Sequence, residues 1–190
     1  MNAEVTVIGT ANLELVPLTE GDSAELAVVL GGEALHEFIG GIPASPDQLR
    51  TRFRTLAAGS GRPDEIWLNW IVRLRATGQA VGTVQATVTD AGRARGPGRA
   101  RGPARPTGTG VAQDAAAAIA WVIGVPWQGR GIASEAAAAL VAWLENGGAA
   151  TVTACIHPRH RASERVAERA GLAPTDTEVD GERVWELRLR

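Results

Sequence analysis

Residues 120–135 read AWVIGVPWQGRGIASE, and this stretch decides the fold. An apolar run typical of a buried strand, residues 117–124, leads into a turn that holds Gly129 and Gly131, and a helix pattern begins directly after it. The N-terminus of a helix presents unpaired N–H groups and a partial positive charge, and glycine lets a ligand approach the backbone closely. The pattern predicts an anion site for a phosphorylated ligand, with a plain strand-to-helix turn as the alternative.

Two widespread nucleotide-binding motifs are excluded at this stretch. A GxxxxGK[ST] phosphate-binding loop needs a lysine, and all 19 basic residues of the chain are arginine. A GxGxxG dinucleotide fingerprint does not fit the residues that follow Gly129 and Gly131. The predicted anion site therefore belongs to another class of fold.

Turn and capping signals on either side of this stretch divide the chain into strands and helices. Ser45 and Pro46 are typical of the cap and first position of a helix, and Asp180 with Gly181 is typical of a hairpin turn. Strands are predicted at 13–19, 66–76, 80–89, 117–124, 151–156, 175–179 and 182–190, and helices at 24–30, 46–59, 134–146 and 161–170, with a short turn at 35–39. The order β-α-α-β-β-β-α-β-α-β-β indicates a mixed α/β domain with an antiparallel meander in its middle.

The composition is that of one globular domain over residues 1–190, with 45% hydrophobic and 21% charged side chains. Residues 91–113 stand apart, because they hold five arginines, no acidic residue and many glycines and prolines. The other 14 arginines and the 21 acidic residues give the rest of the chain a formal charge of −7. We interpret 91–113 as a disordered basic loop inserted in the domain. RNA binding is the alternative, which the lack of interleaved aromatic residues disfavours.

Other features bear on the compartment and on metals. The single cysteine, Cys155, excludes an internal disulfide and favours a reducing, cytoplasmic compartment. The first residues lack a signal-peptide pattern, and no apolar run approaches the roughly 20 residues of a membrane helix, so no membrane partner is expected. Cys155, His157 and His160 are possible metal ligands, but three candidates without a fourth are a weak signal, and we predict no metal.

The residues QGRGIA at 128–133 fit the pattern [QR]-x-x-G-x-[GA] and resemble the signature of the GNAT superfamily of N-acetyltransferases. WVIGVPW at 121–127 and HPRHRASERVAERAGL at 157–172 resemble the ribosomal-protein-type branch of that superfamily. The resemblance extends over residues 13–190. It implies a GNAT fold, in which a central, twisted, mostly antiparallel sheet has splayed fourth and fifth strands and about four flanking helices.

The resemblance implies an acetyl-CoA-dependent N-acetyltransferase, in which an amine attacks the thioester directly in a ternary complex. The backbone amides of 129–133 would hold the pyrophosphate of the coenzyme, and its pantetheine arm would lie between strands 117–124 and 151–156. An amide near Ile123 would polarise the thioester carbonyl. The cofactor-binding residues that the resemblance implies are Trp121, Val122, Ile123, Gln128, Gly129, Arg130, Gly131, Ile132, Ala133, Ser134, His160 and Ser163.

The protonation of the leaving thiolate is the main departure from the family pattern. Many members use a tyrosine for this step, and the chain contains no tyrosine. Ser163 matches the serine of the ribosomal-protein-type motif, so the resemblance implies that Ser163 and Ile123 supply the catalytic groups. A serine that only occupies the first turn of its helix is the alternative. His160 stands where the motif has an asparagine.

The acceptor site is expected at the first helical connection. His36, Glu37 and Phe38 lie there, and Asn69 on a central strand is a further candidate, with a solvated loop as the alternative. The charge of −7 outside residues 91–113 would attract a cationic acceptor over long range, which favours a small-molecule amine. A protein N-terminus is the alternative acceptor. A non-catalytic acyl-CoA-binding regulator with a nucleic-acid-binding loop is the competing hypothesis, although nucleic acid is not the expected partner. The chain is expected to be a monomer or a homodimer.

Overall fold

Eight strands and five α-helices make up the part of the chain that the structure describes. It is a computed structural model that describes residues 5–89, 111 and 114–189, without the side chain of Ile39. The strands are β1 (Ile8–Gly9), β2 (Leu13–Pro17), β3 (Glu65–Leu74), β4 (Ala80–Thr89), β5 (Ala115–Ile123), β6 (Ala149–Ile156), β7 (Ala173–Val179) and β8 (Glu182–Arg188). The helices are α1 (Ser23–Val29), α2 (His36–Ile39), α3 (Pro46–Ala58), α4 (Ile132–Asn146) and α5 (Arg161–Arg169).

The strands form one sheet in the order β1-β2-β3-β4-β5-β6-β8-β7. Every neighbouring pair is antiparallel except β5 and β6, which run parallel and are connected through α4. The predicted mixed α/β class and the mostly antiparallel sheet are confirmed. The structure adds the two-residue strand β1, and it places the short helix α2 where a turn was predicted, so that five helices are present rather than about four.

The parallel strands β5 and β6 separate part-way along their length. Their pairing runs from Ala115 opposite Ala149 to Ala118 opposite Thr153. Beyond this point β5 continues to Ile123 and β6 to Ile156 without facing each other in a ladder. The predicted splay is confirmed, and it opens a gap at the ends of the two strands, next to the turn that leads into α4.

Both faces of the sheet are covered. One face packs against α4, whose fully or nearly fully buried residues are Ile132, Ala136, Ala137, Leu140, Val141 and Leu144. On the other face, Leu26 and Val29 of α1 pack with Leu49 and Phe53 of α3. No helix of the described residues has the length and apolar content to cross a membrane.

Local signals set the boundaries of α3 and of the last hairpin as predicted. Ser45 caps α3 by accepting the Gln48 N–H at 3.3 Å, and the Gln48 side chain accepts the Ser45 N–H at 2.8 Å. Asp180 and Gly181 both have positive φ, 52° and 81°, which a two-residue turn with the hairpin twist requires. The start of α3 and the turn between β7 and β8 are therefore each determined by residues at that position.

The predicted basic loop at 91–113 lies outside the described residues except at Val111. Val111 is 1% exposed and belongs to the core that α4 covers. Val111 is therefore anchored in the core, and the loop predicted at 91–113 stays a prediction. The flanking strands β4 and β5 pair up to Thr89 opposite Ala116, so the segment leaves and rejoins the sheet at neighbouring points.

Candidate active site

The turn between β5 and α4 has an open backbone. Gly129 and Gly131 lie in the left-handed region, at φ values of 72° and 81°, where residues with a side chain are strained. A Cβ atom at either glycine would meet no described atom within 4 Å. The two glycines therefore leave room for a bulky group to approach the main chain.

Helix α4 presents N–H groups to the same space. Its N-cap is Gly131, which has no side chain to satisfy them, and the first helical bond runs from the Glu135 N–H to the Gly131 carbonyl at 3.0 Å. The N–H groups of residues 132–134 consequently lack a helical partner. Together with the helix dipole, they favour an anion at this point.

Gln128 fastens the turn to the end of β5. Its Nε2 donates to the Ile123 carbonyl oxygen at 2.9 Å. Gly124 permits the tight packing beneath, because a Cβ there would lie 2.6 Å from the Val29 carbonyl oxygen and 2.9 Å from the Trp127 ring. The conformation of the turn is thus set by contacts outside the glycine pair.

The free edge of β5 borders the gap. The Gly124 N–H donates to the Val81 carbonyl at 2.9 Å, on the β4 side of the strand. Because successive residues of a strand direct their N–H groups to opposite sides, the amides of Trp121 and Ile123 face the side of β6. The ladder with β6 has already ended at Ala118, so these amides face the gap.

His160 begins α5 and packs against α2. Its Nδ1 accepts the Ser163 N–H at 3.3 Å, which makes the imidazole the N-cap of the helix. The ring centroid lies 4.2 Å from that of Phe38, and the His157 ring lies 5.7 Å from Phe38 on the same side. The histidine thus takes a capping role that asparagine commonly fills.

The environment keeps the His160 ring neutral. Burial lowers the pKa of His160 below its ordinary value, and the neighbouring His157 lowers it further, while a hydrogen bond to the backbone, Glu37 and Glu164 only partly oppose this. A neutral ring whose Nδ1 accepts a hydrogen bond carries its proton on Nε2. The cap and the lowered pKa therefore support the same protonation state.

Ser163 and Trp121 connect α5 to β5 across the gap. The Trp121 Nε1–H donates to Ser163 Oγ at 3.3 Å. No described residue accepts the hydroxyl proton of Ser163 in return. The serine hydroxyl is therefore oriented by the indole and can donate to a further group.

Two cavities share lining residues at the end of β5. The larger, of about 610 Å³, lies between the glycine turn, the gap, α2 and α5. The smaller, of about 340 Å³, lies on the opposite face of the sheet beneath α1 and α3. Trp121 and Val122 line both cavities, so two ligands, one in each, would come together at these residues.

Basic side chains line the larger cavity. Arg161, Arg165 and Arg169 are spaced four residues apart and share one face of α5, and Arg159 precedes them. Arg161 binds Glu164 at 2.9 Å, whereas Arg159, Arg165 and Arg169 form no ion pair with a described residue. The larger cavity thus combines helix N–H groups with free guanidinium groups, which suits a ligand with several phosphates.

Residues 12–173 match the family model of the acetyltransferase (GNAT) domain. The chain belongs to the GNAT acetyltransferase family. The predicted membership is confirmed, and the chain is an acetyltransferase of this family. No curated protein matches the chain.

Solved structures share the GNAT fold along nearly the whole chain. One is an acetyltransferase from Salmonella typhimurium that modifies the N-terminal serine of a ribosomal protein, with a TM-score of 0.70, 15% identity and coverage of 97% of this chain and 99% of that one. A second is a ribosomal-protein α-N-acetyltransferase bound to coenzyme A, with a TM-score of 0.69, 16% identity and coverage of 96% of this chain and 98% of that one. A third is an aminoglycoside acetyltransferase bound to coenzyme A, with a TM-score of 0.66, 18% identity and coverage of 93% of this chain and 94% of that one. At these identities the likeness concerns the fold.

The residues predicted for the coenzyme of this GNAT protein lie around the larger cavity. The lining includes Trp121, Val122, Ile123, Gln128, Gly129, Gly131, Ile132, Ala133, Ser134, His160 and Ser163. Arg130 is exposed and does not line it. The arginines of α5 were not predicted, although their four-residue spacing is visible in the sequence, because such a row is usually a solvated helix face.

The residues predicted for the acceptor are divided between the two cavities. His36 and Asn69 line the smaller cavity, Phe38 lines the larger, and Glu37 lines neither. The His36 Nδ1 lies 3.0 Å from the Gly40 carbonyl, so it carries the proton, and its buried Nε2 has no partner among the described residues. The structure therefore brings His36 and Asn69 together and separates them from Glu37 and Phe38.

Cys155 and the described histidines form no metal site. No group of three or more His, Cys, Asp or Glu side chains among the described residues could hold a metal ion. Cys155 is exposed on β6, and partial burial together with Glu182 and Asp180 raises the pKa of its thiol. A thiol with a raised pKa is a poor nucleophile at neutral pH.

Proposed function

We propose that this GNAT protein transfers the acetyl group of acetyl-CoA to the primary amine of a small molecule. The observation that carries the proposal is the junction of the two cavities at Trp121 and Val122. A coenzyme in the larger cavity and an amine in the smaller one would meet at the end of β5. Direct transfer in a ternary complex needs this arrangement.

The larger cavity fits the parts of coenzyme A. The open backbone at Gly129 and Gly131 and the N–H groups of 132–134 suit a diphosphate. Arg165 and Arg169 suit the remaining phosphate. The unpaired edge of β5 suits a pantetheine arm, whose amides can bind as an added strand does.

The residues at the junction suit the transfer itself. In the reaction a bond forms between the nitrogen of the neutral amine and the acetyl carbon, and the carbon–sulfur bond breaks. The nitrogen loses a proton to solvent, and the sulfur takes one from a donor that regains it from solvent. The Ile123 N–H would stabilise the charge on the carbonyl oxygen. The Ser163 hydroxyl would donate the proton to the sulfur, because its oxygen is already engaged by Trp121.

A small molecule is the favoured acceptor because the smaller cavity is roofed by α1 and α3. The alternative, a protein N-terminus, is favoured by the shared fold with acetyltransferases that modify ribosomal proteins. A non-catalytic coenzyme-binding regulator is the third possibility, and its proposed nucleic-acid-binding loop lies outside the described residues. The single cysteine favours a cytoplasmic location.

The test is acetyl transfer from acetyl-CoA to a panel of small primary amines and of short peptides with different N-termini. The readouts are the release of free coenzyme A and the mass of each product. We expect acetylated small amines, with peptides modified weakly or not at all. Efficient peptide acetylation alone would establish the alternative acceptor, and tight coenzyme binding without any transfer would establish the regulator.

A further inference from the structure

The floor of the smaller cavity is polar but uncharged. Asn69, Gln85 and Ala120 are cross-strand partners on β3, β4 and β5, and Thr83 lies on the same face of β4. The side chains of Asn69, Thr83 and Gln85 form no hydrogen bond with another described residue. They are therefore available to a ligand as neutral donors and acceptors.

The lining from α1 and α3 is apolar except at one residue, and His36 adds a neutral imidazole from α2. Leu49, Phe53 and Leu56 of α3 line the cavity, together with Leu30 from the end of α1. Arg52, also on α3, is the only described lining residue with a permanent charge. A single cation at the edge of an apolar cavity is a strong determinant of which ligand charge is accepted.

Arg52 has no partner in the described part of the chain, unlike its neighbours on α3. Arg54 donates to both oxygens of Glu20, at 3.0 and 2.9 Å, and Arg50 lies 3.7 Å from Asp47. Arg52 forms no ion pair or hydrogen bond with a described residue. Its guanidinium group can therefore bind a ligand without first breaking a contact.

Among the residues that the structure describes, no carboxylate lines the cavity to attract a polycation. Two acidic residues at the start of α1 are engaged, since Arg73 binds Asp22 at 2.7 Å and Glu25 at 3.0 Å. The net negative charge of the chain outside residues 91–113 therefore does not extend into the smaller cavity. A ligand with several positive charges would be repelled by Arg52 without compensation.

We infer that the acceptor is an amine with a short apolar body and a carboxylate, and that Arg52 selects it by binding that carboxylate. Arg52 can make two parallel hydrogen bonds to the group. The apolar body would lie against Leu49 and Phe53, and the amine would reach Trp121 and Val122. The inference rests on the proposed function and names its substrate class.

The charge of the smaller cavity also favours the form of the amine that can react. An ammonium group must lose a proton before its nitrogen can attack the thioester. Burial and a nearby positive charge both lower the pKa of an amine, whereas a carboxylate lining would raise it. A cavity that holds Arg52 and no acidic side chain therefore favours the reactive, neutral form.

The test compares matched acceptors and variants. The acceptors are a series of ω-amino acids, the alkylamines in which a methyl group replaces the carboxylate, and spermidine as a polycation. The variants are Arg52→Gln and, as the control, Arg50→Gln, which removes an exposed arginine of the same helix that does not line the cavity. The measurements are kcat and KM for transfer, and the calorimetric affinity of each amine for the protein saturated with coenzyme A.

We expect at least one amino acid of the series to be preferred over its alkylamine by roughly 10- to 100-fold in kcat/KM, the usual worth of a hydrogen-bonded charge. Arg52→Gln should abolish this preference, mainly by raising KM for the amino acid, and should lower transfer to the alkylamine much less; Arg50→Gln should keep the preference. Equal use of both classes, a preference for spermidine, or an equal loss for both classes in Arg52→Gln would overturn the inference.

The binding measurement separates this inference from the proposed function. Transfer without a carboxylate preference would overturn the inference and leave the function standing. If no amine is acetylated, the proposed function fails, and the calorimetric comparison still decides the role of Arg52. If the protein binds the amino acid more tightly than the alkylamine and Arg52→Gln removes this difference, the selecting role of Arg52 is supported. Unselective or absent binding would overturn that role.

Discussion

Ser163 is prepared by its neighbour on β5 to act as a proton donor. The Trp121 indole donates to its oxygen at 3.3 Å, and the hydroxyl proton has no acceptor among the described residues. A hydroxyl that already accepts one hydrogen bond is a stronger donor for the next group. In the proposed reaction that group is the leaving thiolate, which a chain without tyrosine must protonate by another route.

Ser163→Ala should lower the single-turnover rate by roughly 10²–10⁴-fold, the usual contribution of a positioned proton donor. The affinity for acetyl-CoA should change little, because the interaction strengthens only as charge develops on the sulfur. His160→Asn, which retains a cap for α5, should affect the rate much less. A wild-type rate in Ser163→Ala beside a slow His160→Asn would transfer the role to the histidine, and two unaffected variants would assign it to solvent.

The capping imidazole of His160 should make the stability depend on pH. Because burial lowers the pKa of His160 in the folded state, the ring is neutral in both states above about pH 6.5. Below that pH the unfolded chain takes up the proton first, so the folded protein loses stability as the pH falls through the lowered pKa. The protonated ring also loses the Nδ1 acceptor that caps α5.

The measurement is the free energy of unfolding in urea for the wild type and for His160→Asn, between about pH 5 and pH 8. The asparagine keeps an N-cap acceptor and does not titrate. We therefore expect the difference between the two proteins to shift in favour of the variant as the pH falls below about 6.5. A difference that is constant over the whole range would contradict the lowered pKa.

At the scale of elements, the parts that could be predicted are those whose signals are local. Ser45 and Pro46 mark the start of α3, and the apolar run before Gly129 marks β5, because each signal lies within a few residues of what it specifies. The two-residue strand β1 could not be predicted, since two residues show no periodicity. The turn that follows it is held by a distant contact, since Glu135 accepts hydrogen bonds from Thr10 and Asn12.

The smaller cavity could not be predicted for a similar reason. Its lining extends from Leu18 to Val122 and is assembled by pairing in the sheet. Asn69 was predicted to line the acceptor site because it lies on a central strand, whereas Arg52 was not predicted because arginines on a predicted helix are usually solvated. Its significance depends on which neighbouring arginines are paired, and the sequence does not show that.

A substitution at Gly131 tests the role of the turn before α4. Gly131→Val should raise the dissociation constant of acetyl-CoA by at least roughly tenfold, because the side chain fills the space in front of the helix N–H groups. The positive φ of Gly131 also adds strain, about 1–3 kcal/mol for a residue with a side chain. Binding is measured by titration calorimetry.

Gly181→Val is the matched control for backbone strain. Gly181 has the same φ of 81° and the same open surroundings, but it lies in the turn between β7 and β8. Both variants should lose a similar amount of stability, and only Gly131→Val should lose affinity. Undiminished affinity in a folded Gly131→Val protein would refute the assignment of the diphosphate to this turn.

At the scale of the whole molecule, the sheet separates the two proposed substrates and the gap brings them together. Ile119 and Ile123 of β5 point to the face that α4 covers, and Ala120 lines the cavity beneath α1 and α3. The separation of β5 from β6 after Ala118 interrupts this barrier at one place. Three arginines that pair with no described residue line the larger cavity, and one such arginine lines the smaller, so the two cavities differ in the number of anionic groups they can hold.

The crystal structure of the protein in complex with acetyl-CoA tests the central claim most directly. The account predicts the diphosphate on the amides of 129–133, the pantetheine arm in the gap between β5 and β6, and the thioester beside Ile123 and Ser163. A coenzyme bound elsewhere, with nothing between β5 and β6, would contradict it.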